Sequence, residues 1–322
     1  MKKRFLRLLT CLLAVFAFSG CSNPESKDGS SGLNKGEQAE STLLVYTSFY
    51  PMYDFTCKIG GEKVRVINML PSGTEPHDWE PAAADIAGLE KADVFVYNGA
   101  GMEHWAESVL NSLENTGMVV VAASKNIPLI EGEPHEHDHG KSPAGGDGGF
   151  YDPHVWLDPM NAMKEMEAIK EGLSKADPDN GEYYETNFEK FSAMLLELDN
   201  EFKETLSPLP KKEIVVAHEA FGYLCNAYGL TQVGIDGLSP DSEPDPLRMS
   251  EIIDFVRKNE VKVIFFEEMA SPKVAKAIAK ETGAETDVLN PFEGLSDEDK
   301  SAGGDYFSVM RNNLKALENG LK

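Results

Sequence analysis

The sequence has few cysteines, few basic residues for its acidic content, and no long apolar stretch after its first 20 residues. Lysine and arginine number 30 against 54 aspartate and glutamate residues, so the formal net charge is −24. Removing residues 1–20, which hold four basic residues and no acid, changes that charge to −28. Nucleic acids and anionic lipid surfaces are poor partners for a chain this acidic.

Only the N-terminus has the pattern of a membrane-directed segment. Residues 1–20 combine a basic start, an apolar run and small final residues, which predicts a secretory signal peptide too short to span a bilayer. The ending Phe-Ser-Gly-Cys resembles a bacterial lipobox, so we expect Cys21 to be lipidated; release as a free secreted protein is the alternative. Residues 21–41 contain almost no apolar side chains and are predicted to form a flexible tether to that anchor.

The shortage of cysteine limits disulfide chemistry. Cys11 would leave with the signal peptide, so the folded part would keep only Cys57 and Cys225. Both lie in predicted helices, and two buried thiols are the simplest interpretation. A disulfide between them is the alternative that an exported location permits.

Beyond the tether, the chain alternates buried-strand and helix patterns. LLVYTSF predicts a strand, PMYDFTCKIGG a helix with proline in its first turn, and KVRVINML a second strand. The same alternation returns in the second half, so we predict an α/β fold of two lobes, each a mostly parallel sheet flanked by helices. The N-terminal lobe is assigned to residues 42–160, connecting helices to 161–211, and the C-terminal lobe to 212–322.

One long helix is predicted between the lobes. After Gly181, apolar residues recur every three or four positions, at Tyr184, Phe188, Phe191, Leu195, Leu198, Phe202 and Leu206. Such a helix would be about 40 Å long at about 1.5 Å per residue. It is long enough to pack along both lobes as a rigid connection.

Three histidines and one glutamate follow predicted strands. They are His77, His154, His218 and Glu293. Ligands of open α/β sheets bind beyond the carboxyl ends of the strands, so a cleft between the lobes could gather all four side chains. Three imidazoles and one carboxylate suit tetrahedral zinc, whereas manganese would favour a second carboxylate in place of His218. Four protein ligands leave no position for a reactive water, which favours holding the metal over hydrolysis.

Neighbouring residues supply further candidates. His154 lies in GFYDPHVWLDP, where flanking prolines restrict the backbone. Glu267 and Glu268 end another strand and are rival carboxylate ligands, and Glu219 is predicted to orient His218 through a hydrogen bond.

A second group of histidines lies in a polar loop. Residues 131–149, rich in glycine and proline, are predicted to form a mobile loop in the N-terminal lobe. Its three histidines, His135, His137 and His139, are candidates for secondary metal capture; a polar loop without metal affinity is the alternative. His104 is interpreted as a surface or helix-start residue. The aromatic residues near the histidines are expected to form walls that exclude water, with a plain core role as the alternative: Trp79, Tyr151 and Trp156.

Several motifs together resemble one family, the metal-binding lipoproteins of ABC-type importers, in particular the zinc-specific solute-binding proteins. The resemblance covers nearly the whole chain after Thr42 and rests on TSFYPMYDF, PSGTEPHDWEP, NGAGME, DPHVWLDP, AHEAFGYL and KVIFFEEMASPKVAKAIAKETGAETDVLNPFEGL. It implies two α/β lobes joined by one rigid helix with the metal between them. It also implies a protein that is not an enzyme and that delivers its ion to a permease driven by an ATPase.

By motif position, the resemblance places the family's ligands on His77, His154, His218 and Glu293. Manganese-binding relatives have a carboxylate at the third of these positions, so the resemblance also favours zinc. We therefore predict a monomeric, lipid-anchored extracytoplasmic zinc receptor. The alternatives are a manganese or iron receptor of the same architecture, a zinc-dependent hydrolase and a surface adhesin.

Overall fold

The structure is a computed structural model that describes residues 42–115, 117–132, 150–238, 244–267 and 271–322. The predicted signal peptide, Cys21 and the tether lie outside these residues, as do His135, His137, His139 and Glu268, so the expectations for them stay predictions. None of the helices within the described ranges combines the length and the apolar character that crossing a membrane requires.

In the described part of the chain, eight strands form two four-stranded sheets. The first sheet contains β1 (Leu43–Thr47), β2 (Val64–Asn68), β3 (Val94–Tyr97) and β4 (Val119–Ala122). The second contains β5 (Glu213–Val216), β6 (Thr231–Gly234), β7 (Val263–Phe266) and β8 (Glu285–Val288). Their orders are β2-β1-β3-β4 and β6-β5-β7-β8, and all their pairings are parallel. The predicted fold of two parallel α/β lobes is confirmed.

Helices connect these parallel strands, because a parallel pair needs a crossover. Those of the first half are α1 (Tyr50–Gly60), α2 (Ala83–Leu89), α3 (Ala106–Ser112), α4 (Pro159–Ala176) and α5 (Gly181–Leu206). Those of the second half are α6 (Gly222–Tyr228), α7 (Pro246–Asn259), α8 (Lys273–Thr282), α9 (Asp297–Ser301) and α10 (Tyr306–Leu321). Short 3-10 helices cover Gly61–Lys63, Val155–Leu157 and Pro178–Asn180.

The predicted long helix is α5, whose 26 residues span about 39 Å at about 1.5 Å per residue. It packs against α4 and α1 on one side of the molecule and against α10 and α6 of the second half. One hydrophobic cluster runs through this region and includes Val45 of β1, Phe202 of α5 and Val216 of β5. The two sheets are therefore joined through a continuous core; the predicted lobe boundaries themselves stay predictions.

Helix α3 begins at Ala106, after a turn that contains Glu103. Glu103 turns inward, and its carboxylate accepts hydrogen bonds from the backbone N–H groups of Asn98 and Gly99, each at 2.9 Å, and from the Ser48 hydroxyl at 2.6 Å. These contacts hold residue 103 in a turn, so the helix starts at Ala106.

The two cysteines of the folded region are free thiols. Cys57 is half-buried, and Cys225 is buried. The interpretation as a buried thiol is confirmed for Cys225, whereas Cys57 is partly exposed.

Candidate metal centre

The structure brings the four predicted ligand residues together. His77 lies in the connection from β2 to α2, and His154 directly precedes the 3-10 helix Val155–Leu157. His218 follows β5 by two residues, and Glu293 follows β8 by five. One ligand atom from each residue lies within 4.8 Å of all the others. Each side chain sits beyond the carboxyl end of a parallel strand, where such sheets bind their ligands.

The spacing between these atoms fits a tetrahedral ion. The Nε2 atom of His154 lies 3.2 Å from His77 Nε2, 3.4 Å from His218 Nε2 and 2.9 Å from Glu293 Oε1. Glu293 Oε1 lies 3.4 Å from His77 Nε2 and 3.5 Å from His218 Nε2. Zinc bonds of about 2.0–2.1 Å in tetrahedral geometry place neighbouring ligand atoms about 3.3 Å apart. An ion of this size therefore fits between them with small adjustments of the side chains.

Buried carboxylates orient two of the imidazoles. His154 Nδ1 lies 2.8 Å from Asp152 Oδ1, which also accepts the backbone N–H of His154 at 2.9 Å. His218 Nδ1 makes a short contact with Glu267 Oε1. A carboxylate accepts the proton of Nδ1, so each ring can present the lone pair of Nε2 to an ion once Nε2 has released its proton.

Glu267 takes an orienting position at His218, and the role predicted for Glu219 stays a prediction. Both ring nitrogens of His218 are occupied: Nδ1 faces Glu267, and Nε2 faces His154 and Glu293. Glu267 therefore orients the ring from behind, which also removes it as a rival ligand at the centre. The acid next to His218 in sequence has its backbone N–H bonded to Gly237, whereas Glu267 reaches the ring from the neighbouring strand β7.

One protein-family model, described as "Zinc-uptake complex component A periplasmic", matches the part of the chain that holds this cluster. The match covers residues 45–320 and includes all four clustered side chains. The chain belongs to this family.

Relatives in this family are close in length or in fold. The high-affinity zinc uptake system protein ZnuA of Bacillus subtilis is 44% identical over 314 residues, which are 98% of this chain and 96% of the relative. The zinc-binding lipoprotein AdcA of Streptococcus pneumoniae is 40% identical, and the chain spans 60% of its length. The crystal structure of the Zn(II)-bound ZnuA-like domain of that AdcA matches 87% of this chain and 99% of its own, with 40% identity and a TM-score of 0.75.

The surroundings shift the pKa values of the four clustered side chains in different directions. Burial lowers the pKa of His77. Burial acts in the same direction on His154 and His218, but hydrogen bonds and charges from their acidic partners outweigh it and raise both pKa values. Burial also opposes ionisation of Glu293, yet hydrogen bonds from the three imidazoles hold the pKa of this carboxyl well below its usual range. The cluster thus offers a cation one full negative charge, and metal binding displaces protons from imidazole.

A cavity of about 270 Å³ adjoins the cluster on the side of the loop that carries His77. Glu293, Glu75 and Lys300 contribute to its walls. Glu75 accepts the backbone N–H of His77 at 3.2 Å, and burial, followed by the nearby Glu293 charge, raises the pKa of Glu75 to about 7. We did not predict a role for Glu75 from the sequence, although its position two residues before a ligand histidine matches that of Asp152 before His154.

The structure also shows where two of the predicted aromatic residues and His104 lie. Trp156 is fully buried, and its ring centroid lies 5.4 Å from that of His154, so it forms a wall of the centre as expected. Trp79 packs edge-on against Trp105 at 5.5 Å. His104 lies outside the cluster, with Nε2 3.1 Å from Glu80 Oε1 near the surface, as predicted.

Proposed function

We propose that the protein is an extracytoplasmic receptor that binds Zn²⁺ through His77, His154, His218 and Glu293 and delivers it to an ABC-type importer. The observation that carries this proposal is a cluster of three imidazole nitrogens and one carboxylate oxygen within 4.8 Å of one another, with five of the six separations at 2.9–3.5 Å. Membership of the zinc-uptake family and the zinc-bound structure of a relative agree with it.

The chemistry of the centre favours storage of the ion over catalysis. Each histidine offers one neutral nitrogen and Glu293 one oxygen, which completes the four-coordinate shell that structural zinc sites use. A catalytic zinc keeps one position for water, and four protein ligands fill that position. A third histidine, at 218, supplies nitrogen where a manganese site would gain from a harder carboxylate oxygen.

The finer parts of the proposal concern the regions around this centre. Lipidation of Cys21 would anchor the protein at the membrane, and residues 22–41 would act as the tether. The partners would be the permease of the importer and its ATPase. The histidines His135, His137 and His139 would raise the local zinc concentration near the centre.

Metal competition and single substitutions test the binding part. We expect Zn²⁺ to outcompete Mn²⁺ for the purified protein, measured with a chromophoric chelator and by elemental analysis of the bound metal. His77→Ala, His154→Ala and His218→Ala should each lose more than about 100-fold in zinc affinity, because loss of outer partners alone already costs about 10–100-fold. Displacement of Zn²⁺ by Mn²⁺ at comparable concentration would refute the zinc assignment.

Two matched variants act as controls. His104→Ala removes a histidine that also contacts a carboxylate but lies outside the cluster, so it should bind zinc like the wild type. Deletion of 133–149 should cost less affinity than any ligand substitution, because the pairing of Glu131 with Tyr151 closes the chain on either side of the deleted loop. A ligand variant that binds as tightly as His104→Ala would remove that residue from the site.

Delivery to the importer is tested in cells. A strain that lacks the receptor should regain growth under zinc chelation with the wild-type protein and not with His154→Ala. Cys21→Ala should release the protein from the membrane fraction. Growth without any copy of the receptor, at the same free zinc, would contradict the delivery role.

A further inference from the structure

The loop that carries Glu293 is held in an unusual backbone conformation. Phe292, directly before Glu293, has φ of +62°, a region that residues with a side chain rarely adopt. Its ring is fully buried between Tyr50, at a centroid distance of 5.3 Å, and Tyr306, at 5.4 Å. Such a conformation persists only where the surroundings determine it, and it is commonly found at binding sites.

Buried hydrogen bonds to helix α10 of the second lobe fix the backbone of this loop. The side chain of Asn313 in α10 accepts the backbone N–H of Asn290 at 2.9 Å and donates to its carbonyl at 2.7 Å. The Asn290 side chain in turn accepts the N–H of Phe292 at 2.8 Å. Hydrogen bonds therefore fix the backbone between β8 and Glu293 at two residues, Asn290 and Phe292.

The third attachment comes from the segment of the other lobe that carries His154. Trp156 lies two residues after His154, and its indole N–H donates to the carbonyl of Pro291 at 2.7 Å. The Tyr306 hydroxyl donates to the Trp156 carbonyl, also at 2.7 Å, and both hydrogen bonds are buried. Trp156 therefore joins the backbone of one ligand segment to that of another across the cleft.

The two segments that Trp156 joins also carry two closely spaced atoms of the cluster, His154 Nε2 and Glu293 Oε1. Of the distances between ligand atoms given above, that from His154 Nε2 to Glu293 Oε1 is the shortest, at 2.9 Å. The same oxygen, Oε1, also faces His77 and His218 at 3.4 and 3.5 Å. A loop held two residues before Glu293 presents one defined oxygen to all three imidazoles.

We propose that Trp156 is a positioning residue, whose indole N–H holds the Glu293 loop so that Oε1 and His154 Nε2 form a preorganised pair of metal ligands. This inference rests on the proposed zinc-binding function and extends it to a residue that makes no bond to the ion. Preorganisation lowers the ordering cost of binding and fixes the coordination geometry. Without the N–H donor, the Pro291 carbonyl is buried without a partner, and the loop can move away from His154.

The test compares Trp156→Phe with Trp105→Phe, a second buried tryptophan that packs against Phe95 and Trp79 in a hydrophobic cluster separate from that of Trp156. Zinc affinity is measured by chelator competition, and geometry by the visible absorption of the Co²⁺-loaded proteins. Trp156→Phe should bind zinc about 10-fold or more weakly and give an altered Co²⁺ spectrum. Trp105→Phe should match the wild type in both measurements, although each variant loses some thermal stability without metal.

A double-mutant cycle separates positioning from general packing. In a Glu293→Gln background the Trp156→Phe substitution should have little further effect on zinc affinity, because the group it positions is already weakened as a ligand. If the two losses multiply, Trp156 acts independently of Glu293, and the inference is overturned. It is overturned equally if Trp156→Phe binds zinc like the wild type.

A second pair of variants covers the case in which Trp156→Phe does not fold. Tyr306→Phe removes only the hydroxyl that holds the Trp156 carbonyl, and Tyr184→Phe removes a buried hydroxyl that donates to Asp177 at 2.8 Å, remote from the centre. We expect a several-fold loss of zinc affinity for Tyr306→Phe alone; equal affinities would count against the bridge. A wild-type protein that fails to bind zinc would instead refute the proposed function itself.

Discussion

Glu165 in α4 is a buried acid whose removal should stabilise the protein at neutral pH. Its side chain is fully buried, and neither carboxyl oxygen has a hydrogen-bond partner among the described residues. Burial, together with the nearby carboxylate of Glu103, raises the pKa of Glu165 well above its usual value. The phenols of Tyr223 and Tyr306 lie close enough to feel the same charge, and their hydroxyls donate elsewhere, to Asp152 and Trp156 backbone carbonyls.

The sign of the effect follows from proton linkage. In the unfolded chain Glu165 ionises near pH 4.3, whereas in the folded protein it stays protonated to higher pH. Below the unfolded pKa both states hold the proton, and this residue does not weaken folding. Between the unfolded and the folded pKa the folded state holds one proton more, so the free energy of unfolding falls by about 1.4 kcal/mol per pH unit. Above the folded pKa the loss is complete and constant.

Glu165→Met replaces the acid with an apolar side chain of similar length and removes this pH-dependent loss. Above the unfolded pKa, the stability of the variant relative to the wild type should rise by about 1.4 kcal/mol per pH unit until the folded pKa is reached. For a protein of this size the unfolding entropy is about 0.6 kcal/mol/K, so a gain of that size corresponds to about 2–3 °C in melting temperature. Urea unfolding of the metal-free protein at several pH values between 4 and 8 measures the difference.

Glu171→Gln is the matched control, because Glu171 lies on the exposed face of the same helix and its replacement should leave the pH profile parallel to that of the wild type. If Glu165→Met also runs parallel to the wild type immediately above the unfolded pKa, Glu165 is ionised and stabilised in the folded protein, and the reasoning from its burial is refuted.

Three further predictions concern the metal centre. Asp152→Ala removes both hydrogen bonds that orient His154 and should weaken zinc binding by about 10–100-fold, whereas Glu80→Ala, which frees the surface histidine His104, should not; equal affinities of the two variants would contradict the orienting role. His218→Asp should move the Zn²⁺ to Mn²⁺ preference toward Mn²⁺ in a competition titration, and an unchanged ratio would show that this position does not set selectivity. Free zinc at 100 times the dissociation constant should raise the free energy of unfolding by about 2.7 kcal/mol, a gain that EDTA reverses; calorimetry without such a shift would argue against binding to the folded state.

The four residues of the cluster could be predicted from sequence because their positions depend on local patterns. A run such as EIVVA followed directly by His218 marks a strand end, and parallel strands all deliver their carboxyl ends to one edge of a sheet. The apolar repeat after Gly181 likewise fixed the long helix, which the structure extends over all of Gly181–Leu206. Neither inference required knowledge of which side chains touch.

What the tertiary structure alone decided are contacts between residues distant in sequence. Glu267 orients His218 across 49 residues, because β7 lies beside β5 in the sheet. The bridge from Trp156 to Pro291 spans 135 residues and depends on how the two lobes pack. Hydrophobic periodicity records which face of an element is buried, but it does not record which partner each buried polar group meets. The sequence alone predicted which four side chains cluster, and the packing of the lobes determined how those side chains are held.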